Sequence, residues 1–416
     1  MTRSCFHQHL RRAILLLPII LLACNGFFTY TPITHDIALG DLDGDGDLDA
    51  FFANGESEGS QPNSVWINQG GGDFQDSGQS LSLTDTHSVA LGDLDDDGDL
   101  DAIEGGWGLI YINNGFGSFT RVDQTTTPIE GNFTGFSALG DLDQDGDLDI
   151  FLAGCCGWFS GHEDNPWVIP PTSSVFLNDT SGHFSEAQSL THQACPAAAL
   201  GDLDGDGDLD AFIACRMVIE HSGVRQMGER GFDDSVQMFA GPSVERNRAP
   251  NRVYVNDGTG QLLDSDQDLG DAASFAISLG DLDGDGDLDA FVGNRADDEI
   301  WINQGGIQGG IPGQFAVSSQ RIANRSTQKI ALGDVDGDSD LDALLNIASN
   351  RGLSPELWLN DGRAGFTHSR QKLDIPGMQI YTLGDIDGDR DLDIFAGSFD
   401  RGYGIWFNDG SGNFER

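Results

Sequence analysis

Residues Leu39 to Phe52 read LGDLDGDGDLDAFF, with aspartates at every second position from Asp41 to Asp49, followed at once by an apolar run. The acidic nonamer recurs, starting at Asp41, Asp93, Asp141, Asp202, Asp281, Asp334 and Asp385, at intervals of 52, 48, 61, 79, 53 and 51 residues. Short segments such as IALG, VALG and SALG precede it, and runs such as AFFAN, IFLAG and AFVGN follow. Each period carries a second signature, from VWINQGGGDF in the first repeat to IWFNDGSGNF in the last. That is a β-branched and aromatic strand, a tight turn rich in Asn and Gly, and a further strand. A period thus predicts four short antiparallel strands, A to D, with the acidic loop as the A–B turn. Seven such units predict an all-β, seven-bladed β-propeller, each blade four-stranded. A linear solenoid would need capping repeats, and neither end looks atypical.

The chain has 416 residues, 38% of them hydrophobic, and a net charge of −47 with only 21 lysines and arginines. Nucleic acid is excluded as a partner, because phosphate binding needs clustered cations. The nonamers hold more than half of the 68 acidic residues, six in the second copy and five in every other. Charge so concentrated points to bound metal. Residues 1–23 read as an export signal: a basic stretch, the apolar run ILLLPIILLA, and LLAC ending at Cys24. This resembles the bacterial lipoprotein signal and implies a lipidated Cys24 and a mature chain over 24–416. Two or more acyl chains anchor stably, so lipid is the expected membrane contact. Asn25 after the cysteine favours the outer membrane or cell surface, with secretion as the alternative. Repeats are placed near 35–83, 84–132, 133–192, 193–271, 272–325, 326–376 and 377–416. Residues 27–34 are expected to close the last blade beside Ile405–Asn408 or Phe414, and a monomer is expected.

The nonamer offers oxygen at positions 1, 3, 5 and 9 and usually glycine at 6, where the chain must turn left-handed. Calcium takes six to eight oxygens; magnesium, with its rigid octahedron, is the lesser option. In the first copy the expected ligands are Asp41, Asp43, Asp45 and Asp49, with the Asp47 carbonyl. The corresponding sets are Asp93, Asp95, Asp97, Asp99 and Asp101; Asp141, Asp143, Asp145, Asp147 and Asp149; Asp202, Asp204, Asp206, Asp208 and Asp210. They continue with Asp281, Asp283, Asp285, Asp287 and Asp289; Asp334, Asp336, Asp338, Asp340 and Asp342; Asp385, Asp387, Asp389, Asp391 and Asp393. Up to seven structural Ca²⁺ are expected. An EF-hand would need a glutamate at the twelfth position, where the first copy has Phe52. Position 6 is Ser339 in the sixth copy and Arg390 in the seventh, so those two loops are expected to bind most weakly. The nonamer, the apolar strand and the NxGxGxF turn together resemble the FG-GAP or VCBS repeat, also found in the integrin α-subunit propeller. That resemblance spans the mature chain and implies a seven-bladed propeller with a calcium loop in the A–B turn.

The third and fourth repeats gain their length between strands B and C, at Gly154–Ser174 and Cys215–Asn251. In an up-and-down blade these loops lie opposite the A–B turns, side by side on adjacent blades, and resemble the integrin ligand face. Long loops on a compact scaffold often carry function. Cys155, Cys156, Cys195 and Cys215 map to the same patch, and export permits disulfides. The favoured pairing joins Cys155 or Cys156 to Cys195 or Cys215; zinc with His162, His192 or His221 is the alternative. Trp158, Phe159 and Trp167 could stack on a ligand, and His162, Glu163, Asp164, Glu220 and His221 could serve as acids or bases. No catalytic residue is assigned and no GxSxG, HExxH or Walker pattern occurs. The leading reading is a calcium-binding, lipid-anchored binding or adhesion module for a protein or glycan. The alternative is a polysaccharide lyase or hydrolase on the same scaffold.

Overall fold

A computed structural model describes residues 33–55, 62–82, 86–122, 134–154, 172–180, 182–191, 195–216, 249–323, 325–349, 352–373, 378–398 and 402–416. Among the described residues twenty-eight strands form seven four-stranded antiparallel sheets, each in sequential order. The first blade comprises A (Ile33–Gly40), B (Asp49–Gly55), C (Ser64–Asn68) and D (Phe74–Asp76). Its register runs Gly40↔Asp49 and Phe52↔Ser64, so the acidic nonamer is the A–B turn as expected.

Strand B is buried along its whole length, because each of its faces meets a neighbouring blade. Phe51 packs with Val89 and Tyr111 of blade two, and Phe52 with Phe395 and Ile405 of blade seven. Seven such apolar clusters fill the seven inter-blade spaces, the last joining blade seven to blade one. A near-continuous apolar strand is what burial on both faces requires.

The glycine before each nonamer owes its place to crowding. A Cβ on Gly40 would lie 2.7 Å from Leu100 Cδ1, one on Gly201 2.6 Å from Leu288, and one on Gly384 2.7 Å from Leu39. In all seven blades, leucines of the next blade fill the space a side chain would need. Because Gly384 of blade seven faces Leu39 of blade one, the contact runs unbroken around the ring.

The seam between blades seven and one differs from the expectation. Ile33 and Thr34, the described part of 27–34, belong to strand A of blade one, where Ile33 pairs with Gly55 and Thr34 with Asn54. The Thr34 hydroxyl bonds Asn54 Oδ1 at 2.8 Å and fixes that register. Phe414–Glu415 forms the outer strand of blade seven, paired with Gly402–Asn408; residues 27–32 lie outside the described residues. The seam is joined by side chains: Thr34 N–H donates to Gln379 Oε1 at 2.9 Å and Phe74 N–H to the Tyr403 hydroxyl at 3.1 Å. Phe74 and Phe395 pack 4.9 Å apart between ring centroids, and Trp66 and Tyr403 5.7 Å apart.

Candidate functional site

In the first acidic loop Asp41 organises the turn. Its Oδ1 accepts the Gly44 and Asp45 N–H groups at 2.8 and 3.1 Å, and its Oδ2 accepts Gly46 N–H at 3.0 Å. Asp43 Oδ1 accepts Asp45 N–H at 3.3 Å, and Asp45 Oδ1 accepts Asp47 N–H at 3.0 Å. Short acidic side chains thus take up N–H groups that no strand partner reaches. The chain is left-handed at positions 4 and 6, Gly44 (φ 79°) and Gly46 (φ 96°). Sequence reasoning found the second requirement only. The non-glycine residues paying this conformational cost are therefore four: Asp96 and Gln144 at position 4, Ser339 and Arg390 at position 6.

Position 9 is a buried clamp in every copy. Asp49 accepts Leu42 N–H on Oδ2 and Asn68 N–H on Oδ1, both at 2.8 Å. Asp101, Asp149, Asp210, Asp289, Asp342 and Asp393 repeat this pair of bonds. Each oxygen keeps a second lone pair for a cation. Burial, together with the facing loop aspartates, pushes this carboxyl up to about 6 in six copies and to about 7 in Asp289.

The asparagine of the second signature ties each loop to the preceding blade. Asn256 Nδ2 donates to Leu142 O of blade three at 2.8 Å and to Leu209 O of its own blade at 3.1 Å. Asn68, Asn113, Asn178, Asn303, Asn360 and Asn408 likewise each reach the preceding blade, Asn68 bonding Ile386 O across the seam. Five glutamines, Gln188 and Gln320 within strand D and Gln79, Gln267 and Gln371 just after it, form a second set of ties. Gln267, for example, accepts Phe315 N–H and donates to Gly313 O of the next blade; Gln79, Gln188, Gln320 and Gln371 do the same in their blades. Both were missed in the sequence, although the asparagine recurs in all seven repeats.

The loops fit a hard cation. Asp95, Asp143, Asp283 and Asp336, all at position 3, each bury one oxygen that accepts no hydrogen bond. An orphaned buried carboxylate oxygen is costly, and a bound cation removes that cost. Carboxylate oxygens of Asp41, Asp43 and Asp45 lie within 4.8 Å of one another, as do those of Asp93, Asp95 and Asp101, of Asp141, Asp143 and Asp149, of Asp202, Asp204 and Asp206, and of Asp281, Asp283 and Asp285. An all-oxygen set suits calcium or magnesium rather than zinc. Burial and then the neighbouring Asp45 raise the Asp43 carboxyl above its usual range, the mark of carboxylates crowded without a counter-charge. The side chain at position 7 lies under the glycine of its own C–D turn. A Cβ on Gly258 would stand 2.7 Å from Asp208 Oδ2, and Gly115, Gly362 and Gly410 are crowded in the same way by Asp99, Asp340 and Asp391.

On the opposite face Cys195 and Cys215 are disulfide-bonded to each other, which corrects the favoured pairing with Cys155 or Cys156. Strands A (Ala197–Gly201) and B (Asp210–Ala214) of blade four pair Ala197 with Ala214, so the flanking cysteines meet across the sheet end. Cys155, Cys156, Trp158, Phe159, His162, Glu163, Asp164, Trp167, His192, Glu220 and His221 lie outside the described residues, as does Cys24. The bases of the two long insertions are described and interlock. Cys195 N–H donates to Gly154 O at 2.9 Å, and Cys215 N–H to Asn251 Oδ1 at 2.8 Å.

Residues 41–104 and 281–345 match the FG-GAP-like repeat family. No curated protein matches the chain. Among solved structures it resembles BBS1N from a crystal of its complex with ARL6DN, at 12% identity, covering 92% of this chain and 94% of that one, with a TM-score of 0.53. It also resembles an Agrocybe aegerita lectin recognising non-reducing terminal N-acetylglucosamine (17% identity, 94% and 80% covered, TM-score 0.38) and the exotype rhamnogalacturonan lyase YesX (13%, 90% and 72%, 0.45). At these identities the likeness concerns the fold alone. The chain is a seven-bladed β-propeller, and two segments of it, residues 41–104 and 281–345, are FG-GAP-like repeats.

Proposed function

We propose that the chain is a calcium-loaded propeller serving as a binding or adhesion module, anchored by lipid at Cys24 on a bacterial outer membrane or cell surface. Calcium would be held by the position 1, 3, 5 and 9 carboxylates and would neutralise loops whose aspartates otherwise repel one another. The position-3 oxygens buried without a hydrogen-bond donor support the metal reading most directly.

The binding reading rests on the interlocked base of the insertions at 155–171 and 217–248. Gly154, Cys195 and Cys215 are tied together by a disulfide and a backbone hydrogen bond, and Ala153, Cys195, Cys215 and Ala249 share one apolar cluster. A rigid base under two adjacent long loops is how scaffolds present recognition surfaces. The ligand is a protein or a glycan. A glycan array probed with the full mature chain, followed by analysis of the glycans retained, tests this. Intact retained glycan, lost when both insertions are shortened, is the expected outcome. Shortened glycan would replace the module with a polysaccharide-processing enzyme.

A further inference from the structure

In six C–D turns five residues separate the asparagine from the phenylalanine or leucine that leads into strand D, as from Asn68 to Phe74 and from Asn256 to Leu262. In blade five eleven residues separate Asn303 from Phe315. This connection joins strands Asp298–Asn303 and Phe315–Ile322 and contains a 3-10 turn, Gly306–Gln308. It folds over the acidic loop of its own blade. Gly305 and Gly306 approach the Asp287 and Asp285 carboxylates so closely that a Cβ on either would have to displace that carboxylate. Gln308 Nε2 donates to Asp283 Oδ2. Asp285 is half-buried, whereas its six counterparts at position 5 are exposed. Asp283 Oδ1 and Asp287 Oδ2 are buried and accept no hydrogen bond. Two backbone bonds, Gly309 N–H to Gly305 O and Gly310 N–H to Gln304 O, hold the turn in this place.

A glutamine amide carries a donor and an acceptor on one plane, and rotation about its last bond exchanges them. With the loop empty, the N–H₂ end relieves the Asp283 carboxylate. With a cation present, the oxygen end offers the neutral, hard ligand that calcium accepts. The nonamer's four side chains and one carbonyl fall short of calcium's six to eight oxygens, and Gln308 would add one more protein oxygen. We propose that Gln308 is an additional calcium ligand peculiar to loop five, which makes this loop the tightest and slowest-releasing of the seven. The inference rests on the calcium reading given above.

The test uses the full mature chain with calcium alone, titrated by calorimetry, and stopped-flow release into a chelator. Variants are Gln308→Ala, Gln308→Glu and, as a charge control at the 69% exposed tip of the same connection, Ile311→Glu. Melting in excess calcium checks that each is folded. Gln308→Ala is expected to weaken one site about tenfold, the worth of one lost ligand contact, and to abolish the slowest release phase. Gln308→Glu keeps an oxygen there and should retain that phase, and Ile311→Glu should leave it at the wild-type rate. The inference is overturned if Gln308→Ala releases calcium like wild type. It is also overturned if Gln308→Glu loses the slow phase as Gln308→Ala does, or if Ile311→Glu changes it as Gln308→Glu does. A wild-type chain that takes up no calcium would remove the metal reading itself, whereas uptake with an unchanged Gln308→Ala profile removes this inference alone.

Discussion

Replacing Asn256 by alanine tests what holds neighbouring blades together at the acidic face. The side chain is 3% exposed. It donates to Leu142 O and Leu209 O at 2.8 and 3.1 Å and accepts Gly258 N–H at 3.2 Å. Truncation strips the amide donor from two carbonyls and the acceptor from one N–H. Each group left short costs about 1–3 kcal/mol if it stays dry and less if water enters. Because the turn lies near the surface, a loss of about 2–4 kcal/mol is expected. At about 2 cal/mol/K per residue, a unit the length of Thr31–Arg416 loses on the order of 0.8 kcal/mol per kelvin near its midpoint, so melting should fall by about 2–5 °C. Asn256→Asp keeps the volume but turns an acceptor toward the two carbonyls, and should cost at least as much. Asn413→Ala is the control, because Asn413 is exposed and bonds only within its own turn. All three are melted in the same excess of calcium. If both Asn256 variants stay within about 1 °C of wild type, the ties between blades are not a source of stability and the reasoning fails.

Three further predictions address strain, charge and the disulfide. Ser339 and Arg390 hold φ of 76° and 80°, so Ser339→Gly and Arg390→Gly should each relieve about 1 kcal/mol and tighten the sixth and seventh loops; calcium titrations unchanged by either substitution would contradict this. Burial, with Asp297 and Glu356 nearby, pushes the Asp298 carboxyl up to about 8 despite bonds from Thr327 and Asn294. Because that value lies above the unfolded 3.8, the contribution of Asp298 is full below about 3.8 and lost as pH rises through about 8. Melting of Asp298→Asn relative to wild type should therefore improve between about pH 5 and pH 9, and a pH-independent offset would refute it. The Cys195–Cys215 bond spans 20 residues, and the double serine variant should lose roughly 3 kcal/mol in urea unfolding; no change would show that the base of the insertions is held by packing alone.

Much of the architecture was legible because it repeats. Seven nonamers gave the blade count, and the alternation of Asp41 to Asp49 against the apolar Ala50–Phe52 placed the A–B turn correctly. The contacts between blades were harder to see, since they join residues far apart in the chain. Asn256 reads locally as a turn residue, yet its amide reaches Leu142, 114 positions earlier. Gly384 reads as a flexible joint, yet it is small because Leu39 lies against it. At the seam, Ile33 and Thr34 belong to strand A of blade one rather than to an outer strand of blade seven, and Tyr403 and Gln379 supply side-chain bonds there that no repeat signature announces. The connection in blade five went unnoticed because IWINQGG breaks off before its phenylalanine, which lies twelve residues beyond Asn303. The disulfide was misassigned because cysteine spacing carries no register; strand pairing in blade four decides it.

The calcium proposed above would sit in the seven acidic loops, and the fold would depend on it. The most direct measurement is calcium stoichiometry by calorimetry on the full mature chain, paired with thermal melts in excess calcium and in excess chelator. Several calcium ions per chain, up to seven, and a marked fall in melting temperature on chelation are expected, as when a ligand binds only the folded state. No calcium uptake, together with identical melts in the two conditions, would contradict it.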